Sequence, residues 1–102
     1  MITVMARLRT ENWDAFKAAH DEPARLQLRR DRGNLSHQVF TQLDDATDIV
    51  FLDTWDDPQG SDSYYHSDDF QRDLTDMGAT LMEIIKLERA DVVTIGSERS
   101  VV

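Results

Sequence analysis

The sequence predicts an α+β fold, a ferredoxin-like β-α-β-β-α-β order that forms one antiparallel sheet. Three observations support it. Residues 2–9 and 35–43 alternate apolar and polar side chains, which is typical of half-buried strands. Residues 49–55 are nearly continuously apolar, as in a central strand. Helix-start signals follow the first and third of these strands. A chain of 102 residues is long enough for one core.

The first helix is expected to begin at Thr10, whose side chain would cap it. Apolar side chains then recur every three or four residues and predict one buried stripe. They are Trp13, Phe16, His20, Ala24 and Leu28. Pro23 removes a backbone donor inside this segment, so we expect a kink or a break into two helices near His20. Gly33 is expected to end it.

The second half of the predicted fold begins with a hairpin turn over residues 44–48. After the strand at 49–55, Asp57 and Pro58 predict the start of a short helix. Ser67 is expected to cap a second helical piece, which Gly78 ends. Residues 81–95 predict a long final strand, broken near 90–91. We therefore expect a single domain over residues 1–96 and a C-terminal tail over 97–102.

Composition limits the partners. The chain carries 20 acidic and 11 basic side chains, a net charge of −9. Such a field repels nucleic acid and anionic membranes, so neither is expected as a partner. The sequence has no cysteine, which rules out disulfides and thiolate chemistry. No signal peptide or apolar run long enough to span a bilayer is recognisable, so a cytoplasmic location is expected.

Four arginines cluster along the predicted helical segment before Gly33. They are Arg25, Arg29, Arg30 and Arg32, with acidic neighbours at Asp21, Glu22 and Asp31. Opposite charges at helical spacing favour a solvated, salt-bridged face over an anion-binding site.

One face of the predicted sheet lacks a cover. Two helical segments cover one face, while the other carries half of each alternating pattern. A second copy of the chain is the simplest cover, since two sheets packed face to face bury both. We therefore expect a homodimer through sheet-to-sheet packing.

A motif in the middle of the chain is similar to one found in a known protein family. Trp55 ends the central strand, Asp56 and Asp57 follow, and Ser67-Asp68-Asp69-Phe70 matches an S-x-x-F pattern. Together with the start ITVMARLR and the hairpin LDDATDIVFLDTW, this resembles the antibiotic biosynthesis monooxygenase (ABM) family of the dimeric α+β barrel superfamily. The resemblance covers roughly residues 2–93 and implies a dimeric barrel.

The resemblance implies several activities. Some members oxidise polycyclic phenols or quinols with O₂ and no cofactor, and these often have a histidine where this chain has Tyr64. Others degrade haem through a histidine four residues after the motif Phe, which here is Leu74, and an Asn in the first strand, which is missing here. Haem degradation therefore fits this sequence less well than oxygenation, and no cofactor is expected.

Cofactor-free oxygenation needs a base, aromatic walls and a dry site. The candidate catalytic residues are His20 and Tyr64. The candidate substrate-binding residues are Trp13, His37, Phe40, Phe51, Trp55 and Tyr65. Each also has a purely structural interpretation, as core packing or as a satisfied half-buried histidine. His66 is expected to be a solvated helix-end residue.

A metal site is not expected, because His20, His37 and His66 lie on three different predicted elements without ligand spacing. Two functions from different classes remain. One is a cofactor-independent monooxygenase, or a related enzyme, acting on a small aromatic or polycyclic metabolite such as a quinol or anthrone. The alternative is a non-catalytic dimeric ligand-binding or stress-associated protein of the same fold. An open cavity reached by Tyr64 and His20 would favour the enzyme.

Overall fold

The computed structural model describes residues 1–96 and confirms the predicted α+β fold. The elements are β1 (Ile2–Thr10), α1 (Trp13–His20), α2 (Pro23–Asp31), β2 (Asn34–Gln42), β3 (Asp45–Trp55), α3 (Pro58–Tyr65), α4 (Asp68–Met77) and β4 (Ala79–Leu87). The sheet has the order β2-β3-β1-β4, and its neighbouring strands are antiparallel. Each predicted helical segment consists of two short helices.

Local capping signals account for the helix boundaries. Pro23 occupies the first turn of α2, and the break it causes separates α2 from α1, as predicted. Asp57 and Ser67 cap α3 and α4 through their side chains, also as predicted. The cap of α1 is different. Asn12, and not Thr10, accepts the hydrogen bond from the helix, because Thr10 belongs to β1 and donates its hydroxyl to the Gly78 carbonyl.

Two strand boundaries differ from the sequence prediction. The hairpin turn is short, because β3 already begins at Asp45, and Asp44 adopts a left-handed conformation with φ of 66°. β4 ends at Leu87, and residues 88–96 have no regular secondary structure, so the predicted strand over 81–95 is wrong in its second half. The predicted tail at 97–102 lies outside the described residues.

The two faces of the sheet differ sharply in burial. The helix-covered face holds the core, which includes the fully buried Val4, Ala6, Leu8, Ile49, Phe51 and Trp55. The opposite face is open in the single chain. Phe40 (49% exposed) lies opposite Val50, while Ile85 (37% exposed) pairs with Met5. No helix within residues 1–96 is long and apolar enough to cross a membrane.

Candidate functional site

A cleft of about 310 Å³ lies between α2 and the edge strand β2. Its lining residues come from the end of α1, from α2 and from the first half of β2. They are His20, Leu26, Arg29, Arg30, Asn34, Leu35, Ser36, His37 and Val39. This volume is at the small end of the range for ligand pockets, roughly 300–1,000 Å³. Two of the residues predicted to act in the site therefore meet at one cleft.

Two histidines form a direct contact at this cleft. The Nε2 atoms of His20 and His37 lie 2.7 Å apart, and the two rings stack with centroids at 4.9 Å. Phe51 packs against both rings from the core side. Each histidine side chain is only 12% exposed. The pair is therefore held rigidly, with one edge toward the cleft.

A buried carboxylate anchors the pair from behind. Asp53 is fully buried on β3, and its Oδ1 accepts a hydrogen bond from Nδ1 of His37. Its Oδ2 accepts hydrogen bonds from Arg29, at 3.1 Å, and from the hydroxyl of Tyr65. Burial alone would raise the pKa of Asp53, but these donors and the Arg29 charge hold it below its usual value. Asp53 is therefore an anion at neutral pH.

This anchoring determines the tautomers of the pair. Because His37 donates Nδ1–H to Asp53, its Nε2 is an acceptor when the ring is neutral. His20 must then donate Nε2–H to His37, which leaves the lone pair of a neutral His20 on Nδ1. That nitrogen lies 2.9 Å from Oδ1 of Asp21, whose side chain is 47% exposed. The Asp21 contact is a hydrogen bond only when His20 is protonated.

The pKa of His20 is lowered below its usual value of 6.5. The main cause is burial, which disfavours the charged ring, and the neighbouring His37 adds to it. The Asp21 hydrogen bond acts in the opposite direction but is the smaller effect. At neutral pH His20 is therefore a free base, with an exposed carboxylate ready to stabilise its protonated form.

A second polar group lies deeper, between the sheet and α4. The hydroxyl of Tyr64 donates to Oδ2 of Asp73 at 3.0 Å, and Arg25 pairs with the other oxygen of Asp73. Tyr64 is 1% exposed, and the Arg29 guanidinium stacks on its ring at 4.8 Å. Burial, with a smaller contribution from Asp73, raises the pKa of Tyr64 well above its usual range. Tyr64 does not line the cleft.

The other residues predicted to bind substrate lie apart from the cleft lining. Phe51 and Tyr65 lie behind the lining residues. Phe51 packs against the histidines, and the hydroxyl of Tyr65 donates to Asp53. Trp55 is fully buried against both tyrosines, and Trp13 stacks on Phe16. Phe40 lies on the open face of the sheet, which is the opposite side from the cleft. Their binding roles stay predictions.

One structural expectation needs correction. Arg29 is 5% exposed and pairs with Asp53, and the Arg25 side chain is 10% exposed and pairs with Asp73, so the arginine cluster is not the solvated face that the sequence predicts. The buried Trp55 Nε1 has no hydrogen-bond partner among residues 1–96. His20 on α1 and His37 on β2 lie on different elements, as predicted, yet their rings are in direct contact. His66 is exposed at the end of α3, as predicted.

Asp53 and Asp73 are functional candidates that the sequence analysis missed. Asp53 shares the inward alternation of Ile49, Phe51 and Trp55, which is a signal that a buried carboxylate is present. Asp73 lies between Phe70 and Leu74 on the buried side of α4, but no pattern in the sequence identifies its partners. Among residues 1–96, no three histidine, aspartate or glutamate side chains form a group that could hold a metal ion.

Comparison with known proteins adds the family. The model of the family described as "Antibiotic biosynthesis monooxygenase" matches residues 1–72. No curated protein matches the sequence. SnoaB of Streptomyces nogalater, described as a cofactor-independent oxygenase, has a similar structure, with a TM-score of 0.70 at 16% identity over 90% of this chain and 95% of its own.

Two further solved structures share the fold. A conserved protein of Methanosarcina mazei Go1 has a TM-score of 0.65 at 18% identity, over 86% of this chain and 91% of its own. Rv0793 of Mycobacterium tuberculosis has a TM-score of 0.61 at 17% identity, over 91% of this chain and 98% of its own. At these identities the likeness establishes the fold alone.

Proposed function

Since the chain belongs to the antibiotic biosynthesis monooxygenase family, we propose that it is a cofactor-independent monooxygenase that oxidises a small aromatic or polycyclic substrate, such as a quinol or anthrone, at the cleft. One observation carries this proposal. His20 lies at the cleft as a neutral base, and its other nitrogen is held through His37 by the buried Asp53. A base that is oriented by a second group is the arrangement that proton abstraction needs.

The first step is a proton transfer. Nδ1 of His20 takes the proton from the acidic C–H or O–H of the substrate, after Asp21 has moved away from that nitrogen. The imidazolium that forms is stabilised by the Asp21 carboxylate and, through His37, by Asp53. The lowered pKa of His20 keeps the base unprotonated at neutral pH.

The second step needs O₂ and no redox group from the protein. The substrate anion passes one electron to O₂, and the two radicals combine to a peroxide. The peroxide anion takes the proton back from His20, and the resulting hydroperoxide then loses water. For anthrone, one molecule and one O₂ give anthraquinone and one H₂O, so the substrate is oxidised and O₂ is reduced. Leu26, Leu35 and Val39 give the cleft an apolar side, and a substrate bound against them would displace water from the anion before it meets O₂.

The test is O₂ consumption with anthrone as substrate, together with anthraquinone formation, for the wild type and H20Q. Glutamine keeps a polar side chain but cannot take the proton, so kcat is expected to fall at least about a hundredfold. The control is H66Q, since His66 is exposed and bonded only to the Asp62 carbonyl within residues 1–96. Its rate is expected to equal that of the wild type.

In the wild type, the same assay is expected to show kcat/KM that stays high below pH 6.5 and falls only at lower pH, because the His20 pKa is lowered. Equal rates for H20Q and the wild type would remove His20 from the mechanism. No oxidation by the wild type would contradict the enzyme proposal.

The alternative, a dimeric ligand-binding protein without catalysis, has support from one observation. The space around Tyr64, where the relatives' histidine would lie by the motif, is filled by Trp55, Tyr65 and Phe70. Only His20 of the two predicted catalytic residues reaches an open cleft. Binding of anthrone without O₂ consumption would favour this alternative.

We also propose that two chains pack through their open sheet faces. This face carries the half-exposed Phe40, Met82, Ile85 and Leu87 beside Met5 and Leu52. An apolar face of this kind is typical of a subunit interface. Sedimentation equilibrium at micromolar concentration is expected to give twice the chain mass of 11.7 kDa, and a monomer would contradict the proposal.

A further inference from the structure

We propose that the ligand of the cleft is an aromatic acid, with a carboxylate bound by Arg30 and Arg29 and its ring on the apolar side of the cleft. This inference rests on the proposed function only for the location of the site, and it adds the substrate class.

The charge of the cleft is opposite to that of the protein. The chain has a net charge of −9, yet no Asp or Glu is among the residues that line the cleft. Arg29, Arg30 and two histidines line it instead. Asp53, behind the lining, balances one of these charges through Arg29. Arg30 therefore leaves the cleft with at least one positive charge in excess, which favours an anion.

Guanidinium donors remain free at this cleft. Within residues 1–96, Arg30 forms one side-chain hydrogen bond, from Nη1 to Gln27 at 3.1 Å, and no ion pair. Arg29 uses only Nη1, for Asp53 and Asn34, although its side chain is 94% buried. Arginine is suited to carboxylates because its planar fork offers two parallel N–H donors. The two residues thus offer donors that the fold itself does not use.

The other polar groups of the lining are already occupied. Asn34 donates to the carbonyls of Ser36 and Thr54, and its oxygen faces Arg29. The hydroxyl of Ser36 pairs with that of Thr54. This leaves the arginines as the donors available for an anionic group, and His20 as the base.

The remaining lining fits an aromatic ring. Leu26 and Leu35 are 37% and 58% exposed, so their apolar side chains are accessible to a ligand at the cleft. Together with Val39 they form an apolar strip beside the arginines. A ring on this strip would place its acidic substituent toward Arg30, since apolar and charged groups of the ligand must match those of the cleft.

The experiment compares two fluorescent probes of the same size, naphthalene-2-carboxylate and the uncharged naphthalene-2-methanol. Their dissociation constants are measured by fluorescence titration with the wild type, R30Q and R72Q. Arg72 is the matched control, because its side chain is 68% exposed and it lies on α4, away from the cleft lining. R72Q changes the net charge of the protein by the same amount as R30Q.

The wild type is expected to bind the carboxylate more tightly than the alcohol. R30Q is expected to weaken carboxylate binding about tenfold, the usual effect of losing a hydrogen bond to a charged group, and to leave alcohol binding unchanged. R72Q is expected to change neither. Equal binding of the two probes, or equal weakening by R30Q and R72Q, would overturn the proposal.

Failure of this proposal is separable from failure of the proposed function. Anthrone has no carboxylate, so its oxidation is expected not to depend on Arg30. Oxidation of anthrone by the wild type, and the loss of that oxidation in H20Q, therefore test the chemistry by itself. If the wild type oxidises anthrone but binds the carboxylate probe no more tightly than the alcohol, only the proposed ligand class is overturned. Arg30-dependent carboxylate binding without oxidation would overturn only the enzyme.

Discussion

The core contains two aromatic groups that differ in their access to solvent. The closed cluster consists of Trp55, Tyr64, Tyr65 and Phe70, none of them more than 7% exposed. The open cluster consists of Phe16, His20, His37 and Phe51, and its histidines reach the cleft. Asp53 joins the two, since it accepts from Tyr65 on one side and from His37 on the other. The difference teaches that aromatic residues near a family motif need not line an open cleft.

The largest effect is expected from removing the Asp53 carboxylate, which joins the two clusters. D53A leaves Arg29 buried without its carboxylate and removes the acceptor of His37 and Tyr65, so the free energy of unfolding is expected to fall by about 3–5 kcal/mol. Urea denaturation measures this change. The control is D62A, because the Asp62–Lys86 pair is about half exposed and is expected to contribute less than about 1 kcal/mol.

Equal effects of D53A and D62A would mean that the two clusters are stable without their shared carboxylate. If D53A does not fold, D53N retains an acceptor oxygen for part of the network. Its kcat for anthrone is expected to fall with little change in KM, because His37 would no longer orient His20 for the proton transfer.

A smaller effect is expected in the closed cluster. Y64F removes one hydrogen bond to Asp73, which keeps its pair with Arg25, so the loss in unfolding free energy is expected to be about 1 kcal/mol. Because Tyr64 is buried and does not line the cleft, the kcat of Y64F for anthrone is expected to differ little from that of the wild type. A fall in kcat comparable to that of H20Q would instead support the catalytic role that the sequence predicts for Tyr64.

The sequence predicted the elements well where the signals are local. Pro23 predicted the break between α1 and α2, and Ser67 and Gly78 predicted the ends of α4. Hydrophobic periodicity predicted the strands but not their ends. The segment 88–96 contains Val92, Val93 and Ile95, which suit a strand, yet it does not pair within the described chain.

The arrangement of the candidate site was predicted only in part. His20 was identified from its place on the buried stripe of α1, but its contact with His37 joins residues from two different elements. The four arginines have acidic neighbours at helical spacing, which predicts local ion pairs. Arg29 instead lies against Asp53, because burial of its helix face brings it to β3. Charge spacing along one helix carries no information about carboxylates on another element.

The sequence by itself determined the order of the elements, the caps and the apolar face of the sheet, because backbone hydrogen bonding and side-chain periodicity act over a few residues. The tertiary structure decided which polar side chains meet. The Asp53 contacts to Arg29 and His37 span 24 and 16 residues of sequence. Such contacts depend on how helices and sheet pack, and burial makes each carboxylate pair with whichever donor that packing brings to it.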